Sequence, residues 1–174
     1  MRKTLTSLLI ATALIAASAA IASAATVTAS PGGSISATIR GLGFSGPLIG
    51  LFRCDTTLSG SVSTGPIVLP GRGGSITSAS ITNCSPNHTV RPTGLPWTLT
   101  GQTALSCPSS STGLLGVVAA AFTVDGIFSS SGNIGTLVAS GRGSISILSS
   151  SLSNGGQILG GSGTYSPINT IACT

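Results

Sequence analysis

The chain has 174 residues, of which only 5% are charged: seven Lys or Arg against two Asp or Glu, with a single histidine. Ordinary soluble domains carry about 25% charged residues, so Ser, Thr and Gly must supply most of the outer surface here. The net charge of +5 comes from isolated basic residues rather than a basic stripe with stacking aromatics, which argues against a nucleic-acid partner.

In chain order, the first element is a secretory signal over residues 1–24. Arg2 and Lys3 form the positive n-region, Leu8 to Ala17 an apolar h-region, and Ala22-Ser23-Ala24 an A-x-A cleavage site. A transmembrane anchor would need roughly 20 apolar residues, and this run turns Ala/Ser-rich too soon. Removal of the signal leaves residues 25–174 as one domain with a net charge of +3 and no integral membrane span. Export implies a secreted protein, extracellular or on the cell surface, with the periplasm as a further compartment. In such a compartment the four cysteines, Cys54, Cys84, Cys107 and Cys173, read as two disulfides. No C-x-x-C pair and one histidine leave little for a metal site. Pairing neighbours in sequence gives Cys54–Cys84 and Cys107–Cys173, with loop-closure stabilisations of about 3.5 and 4 kcal/mol.

The domain itself shows no helical periodicity over three turns. It shows short alternating segments punctuated by Gly, Pro, Ser and Asn. Residues 34–39 alternate strictly, and residues 58–62 less so. In residues 76–82 the alternation puts Thr77, Ala79 and Ile81 on one face and Ile76, Ser78 and Ser80 on the other. Trp97 and Leu99 share a face, as do Ile145 and Ile147. The apolar run 114–128 could be a buried helix around Ala119-Ala120-Ala121, but its glycines and β-branched residues favour a strand. Gly71-Arg72-Gly73 and Gly141-Arg142-Gly143 each lead into Ser/Ile alternation ending at Asn, which reads as two equivalent hairpins. The expected fold is all-β: an antiparallel sandwich or small closed barrel stapled by two disulfides. An outer-membrane barrel would need two aromatic girdles, for which six scattered aromatics do not suffice.

Candidates for chemistry are few. Gly41-Leu42-Gly43-Phe44-Ser45-Gly46 matches G-x-G-x-x-G, but Pro47 and Gly50 deny it the helix that would meet a pyrophosphate. His88 sits in the turn-like Ser85-Pro86-Asn87-His88-Thr89 and reads as an exposed loop residue. Asp55 adjoins Cys54 and reads as a turn residue or a charge partner for Arg53, rather than one of a catalytic carboxylate pair with Asp125. The sequence therefore assigns no catalytic residue, no cofactor and no metal. An enzyme is the third reading, behind two non-enzymatic ones.

The best-defined local feature is Gly94-Leu95-Pro96-Trp97-Thr98. It holds the only tryptophan, fixed by a preceding proline, and reads first as core packing. Together with the signal, the Ser/Thr/Gly-rich strands, the Cys54/Cys84 spacing and a final strand from Tyr165 to Cys173, it resembles the secreted bacterial family of protein activators of alkane oxidation (PraB-type). The resemblance covers roughly residues 26–174. It implies a surface or extracellular protein that assists growth on long-chain alkanes, without catalytic residues. The leading expectation is an exported non-enzymatic protein acting at hydrophobic surfaces, assisting alkane contact or uptake. Its partners would be hydrophobic compounds or surfaces, and copies of itself. The alternative is a structural subunit of a surface fibre or biofilm matrix.

Overall fold

A computed structural model describes residues 26–30, 32–101, 112–140, 143–167 and 170–173. The signal-like residues 1–24, Gly141, Arg142 and Cys107 lie outside these, and with Cys107 the expected Cys107–Cys173 pairing. Thirteen strands and one short 3-10 turn at Ser153–Gly155 make up the described fold. The apolar run 114–128 is strand, not helix: β8 spans Thr112–Val124 and β9 begins at Phe128 and runs to Ser140. Its β-branched residues pack well on a pleated surface, which outweighs the helix preference of three alanines.

The earlier strands are β1 (Thr26–Ser30), β2 (Gly33–Gly46), β3 (Gly50–Val62), β4 (Ile67–Val68), β5 (Gly71–Ser85), β6 (Val90–Thr93) and β7 (Trp97–Gly101). The later ones are β10 (Ser144–Ile147), β11 (Ser150–Ser151), β12 (Gln157–Ser166) and β13 (Thr170–Cys173). One antiparallel sheet runs β10-β9-β8-β7-β5-β3-β2-β12-β11, and β10 also pairs with β12, so the sheet rolls back on itself around the core. The closed-barrel expectation is nevertheless corrected. β7 pairs with β5 only as far as Ile76, and β6, the next segment on that side, bonds to β8 instead. Among the described residues, β5 from Thr77 onward has β3 on one side and no ladder on the other, leaving an open seam. The sheet is also one continuous sheet rather than the two of a sandwich.

Two further expectations change. The final strand is two: β12 belongs to the rolled sheet, whereas β13 pairs with β1 in a separate three-stranded sheet, β13-β1-β4. The strands that follow the two Gly-Arg-Gly stretches also differ: the long β5 follows the first, whereas the short β10, β11 and the 3-10 turn follow the second, whose Gly141 and Arg142 lie outside the described residues.

Bulges explain how the strands fill one core despite interrupted alternation. On β2, Ile39 and Leu42 are both buried although their parities differ, because the ladder to β3 skips between them. On β5, Ile76 is 2% exposed while Ala79 and Ile81 also pack on the core. Thr77 is the extra residue where the β3 ladder shifts, and it reverses the side that each later residue faces. A close approach appears at Gly60 on the same stretch, where a Cβ would collide with the Ser75 carbonyl oxygen.

The core includes Ile39, Phe52, Leu58, Leu99, Val118 and Ile158, each 2% exposed or less. Phe44 stacks on Phe52 at 5.3 Å and meets Phe122 edge-on at 5.4 Å, pairings worth about 0.5–1.5 kcal/mol each beyond area burial. One inward residue is out of character: Thr56, 2% exposed, whose Oγ1 has no hydrogen-bond partner among the described residues. A buried hydroxyl left unbonded costs roughly 1–3 kcal/mol. Thr56→Val keeps the shape and removes that cost, so it is expected to stabilise the fold by about 1 kcal/mol, read as a higher urea midpoint at unchanged m-value.

The outer wall is hydroxyl-bearing in register. One row crosses five strands as Ser144, Thr164, Thr38, Thr57 and Ser80, and a second crosses four as Ser166, Ser36, Ser59 and Ser78. All are exposed or half-buried.

Candidate functional site

The rolled sheet has two dissimilar ends. At one, β1, β4 and β13 form the small sheet. At the other, the β2–β3 turn and the β8–β9 turn meet: a Cβ at Gly46 would lie 3.0 Å from Cζ of Phe128. This second end carries the candidate site.

The sequence makes each turn in a recognisable way. In the β2–β3 turn, Ile49 N–H donates to the Gly46 carbonyl at 3.3 Å and Gly50 supplies a left-handed φ of 67°. Ile49 folds inward at 7% exposure, while Leu48 points out at 71% and Leu51 at 59%. In the β8–β9 turn, Asp125 and Gly126 take φ of 52° and 72°, the conformation that Asp-Gly turns favour. Ile127 N–H donates to the Val124 carbonyl at 3.1 Å and its side chain stands 69% exposed. On the adjoining outer face, Leu159 lies over Gly43 and is 40% exposed. The three most exposed of these aliphatic side chains thus belong to the two turns of one end and to the strand residue just beyond them.

A polar staple holds that end in shape. His88 Nδ1 and Asp125 Oδ2 are 2.6 Å apart, Thr89 N–H donates to Asp125 Oδ1 at 2.7 Å, and Asp125 N–H donates to the Thr89 carbonyl at 2.8 Å. An ionised carboxylate only accepts, so Nδ1 carries the shared proton. The His88 ring packs on Phe52 with centroids 4.5 Å apart, and its side chain is 17% exposed. His88 is therefore not the exposed loop residue its surroundings in sequence imply. It fastens residues 86–89 to the β8–β9 turn and to the aromatic core beneath.

The hydrogen bond from His88, then the Thr89 N–H, holds the Asp125 carboxyl below the usual carboxylate range. A folded-state pKa below the unfolded one contributes stability that is present above the unfolded pKa of about 4 and is lost as pH falls through the folded value. Asp125→Asn is expected to flatten the decline of melting temperature between about pH 5 and pH 2, as checked by melting scans across that range.

Asp55 forms a second staple, apart from the first. Its Oδ1 accepts from Gly41 N–H at 3.2 Å and its Oδ2 from Asn83 Nδ2 at 3.1 Å, clamping the β2 bulge. These bonds, Asn83 first, lower its pKa. Arg53 Nη1 donates to the Gly41 carbonyl at 3.0 Å, so it supports the same bulge, and the charge-partner alternative for Asp55 is not the arrangement seen among the described residues. Asp55 and Asp125 thus serve different staples. The G-x-G-x-x-G stretch is strand throughout.

Of the residues singled out from sequence, Cys54 and Cys84 form a disulfide that joins β3 to β5 beside this bulge. Trp97 is core: it is 2% exposed and its Nε1 donates to the Thr93 carbonyl at 2.7 Å. Residues 94–96 loop out between β6 and β7, three residues more than the facing stretch of β8 accommodates. Leu95, 36% exposed, is at that loop, away from the two turns. Sequence reasoning missed Leu48, Leu51 and Ile127. The signal was there, as large aliphatic residues placed inside or against Gly/Pro and Asp-Gly turns.

The site is thus an end-on arrangement of aliphatic side chains on a disulfide-stapled, all-β domain. Its His–Asp pair already has a structural role, fastening residues 86–89 to the β8–β9 turn. A family model described as alkane oxidation protein activator, PraA/PraB-like, matches residues 1–173, and the chain belongs to that family. No curated protein and no solved structure matches the chain. The family is described by activation of alkane oxidation, not by carrying it out.

Proposed function

We propose that this chain is an exported, non-enzymatic protein that acts at hydrophobic surfaces and assists alkane contact or uptake. The observation that carries the reading is the exposure of Leu48, Leu51 and Ile127 at one end of the domain. Large aliphatic groups held in water by rigid turns gain about 25 cal/mol for each Å² they bury in an apolar phase. The family description supplies the alkane, and the Cys54–Cys84 disulfide suits an oxidising compartment outside the cytoplasm. Pendant-drop tensiometry at a hexadecane–water interface tests it with the purified domain. The expected result is a fall in interfacial tension and smaller stable droplets. Unchanged tension with all protein left in the aqueous phase would count against it.

The fibre-subunit alternative draws on the open seam of β5. Unpaired strand backbone is a place where another chain can add a strand. Strictly monomeric sedimentation at high concentration would remove this second reading.

A further inference from the structure

We infer that the hydroxyl-bearing wall is a packing surface for a second copy of this chain, used when copies stand side by side at an apolar interface. The inference rests on the proposed surface activity and adds what neighbouring copies do once adsorbed.

Register, not composition alone, creates the surface. Adjacent strands lie about 4.8 Å apart and alternate residues about 6.8 Å apart along a strand, so the two rows through Thr38 and Ser36 form a regular grid. Each hydroxyl both donates and accepts, so a grid of them is complementary to itself in either orientation. Charged groups are not self-complementary, and the two rows contain none. Arg40, opposite Ser162 one row nearer the turns, is the cation beside them.

Other occupants fit less well. An anionic partner would want a cluster of cations. An apolar partner would want the exposed aliphatic residues, and none of those lies in these rows. A glycan held by stacking would want an exposed ring, but Trp97, Tyr165 and all four phenylalanines are buried. The position of the wall favours a second copy as well. With the turns of the β2–β3 and β8–β9 hairpins in an apolar phase, the strands stand across the interface and the walls of neighbours face one another. Weak hydroxyl contacts that fail to hold a dimer in free solution are then helped by crowding in two dimensions.

The test uses a variant that charges the wall on three of its strands, Ser36→Lys, Ser80→Lys and Thr164→Lys, with a melting curve to confirm folding. Both proteins are spread at a hexadecane–water interface, and tension and interfacial shear modulus are recorded. The expected result is that both lower the tension alike, while the variant film is softer by about tenfold or more at low salt and stiffens as salt screens the added charges. Equal moduli would overturn the wall's role and leave surface activity standing. Loss of tension lowering in the wild type would instead overturn the surface activity and this inference with it. Softening of the wild-type film by soluble cellohexaose, but not by an equal osmolarity of sucrose, would reassign the wall to glycans. Should the triple variant fail to fold, Ser36→Asn and Ser59→Asn together make a neutral alternative that disrupts the grid by bulk. An unchanged modulus there also overturns the inference.

Discussion

Replacing Leu48, Leu51 and Ile127 together by serine is expected to abolish partitioning of the domain to an alkane–water interface while leaving its melting temperature unchanged. None of the three side chains packs in the core; they are 71%, 59% and 69% exposed. Burying each in an apolar phase is worth roughly 1.5 kcal/mol, so the triple variant forgoes about 4.5 kcal/mol, on the order of a few thousandfold in partition coefficient. Val68→Ser is the control. It removes an aliphatic residue of similar exposure, 58%, from the opposite end near the small sheet, and should leave partitioning intact. Equal losses from both would mean that the chain adsorbs without orientation. No loss from the triple variant would mean that the turns are not the contact.

The second large effect lies in the staple between β3 and β5. Cys54 is 1% exposed, and the bond to Cys84 closes a loop with a sequence separation of 30. Chain entropy alone puts its loss near 3.5 kcal/mol. For a domain of this size that corresponds to a fall of about 10 °C in melting temperature. The double variant Cys54→Ala with Cys84→Ala should show it, and reduction of the wild type should show at least as much. The same ladder shifts register between Arg53 and Asp55, with the Asp55–Asn83 bond bracing it. Hydrogen exchange should therefore accelerate first in residues 53–56 and 81–85. A double variant that melts with the wild type would show that the bulge and core hold the two strands without the disulfide.

The sequence by itself determined the class. Sparse charge, alternating segments and turn residues sufficed for an all-β domain, because period-two patterning and Gly/Pro punctuation are local properties. The Cys54–Cys84 pairing was legible for a related reason, since β3 and β5 are near neighbours in the chain and adjacent in the sheet. Trp97 as core followed from its size. The alternation of residues 76–82, by contrast, misled because one extra residue at Thr77 reverses every later side chain, and only the β3 ladder reveals it. Tertiary structure alone decided the rest. His88 and Asp125 are 37 residues apart in sequence, and their 2.6 Å contact exists because β6 leaves β5 to pair with β8. Leu48 and Ile127 belong to different hairpins, and the apolar end exists only because the rolled sheet brings Gly46 against Phe128. Strand content depends on local backbone preference, whereas the ends of a rolled sheet depend on which distant strands pair, information carried by no segment alone.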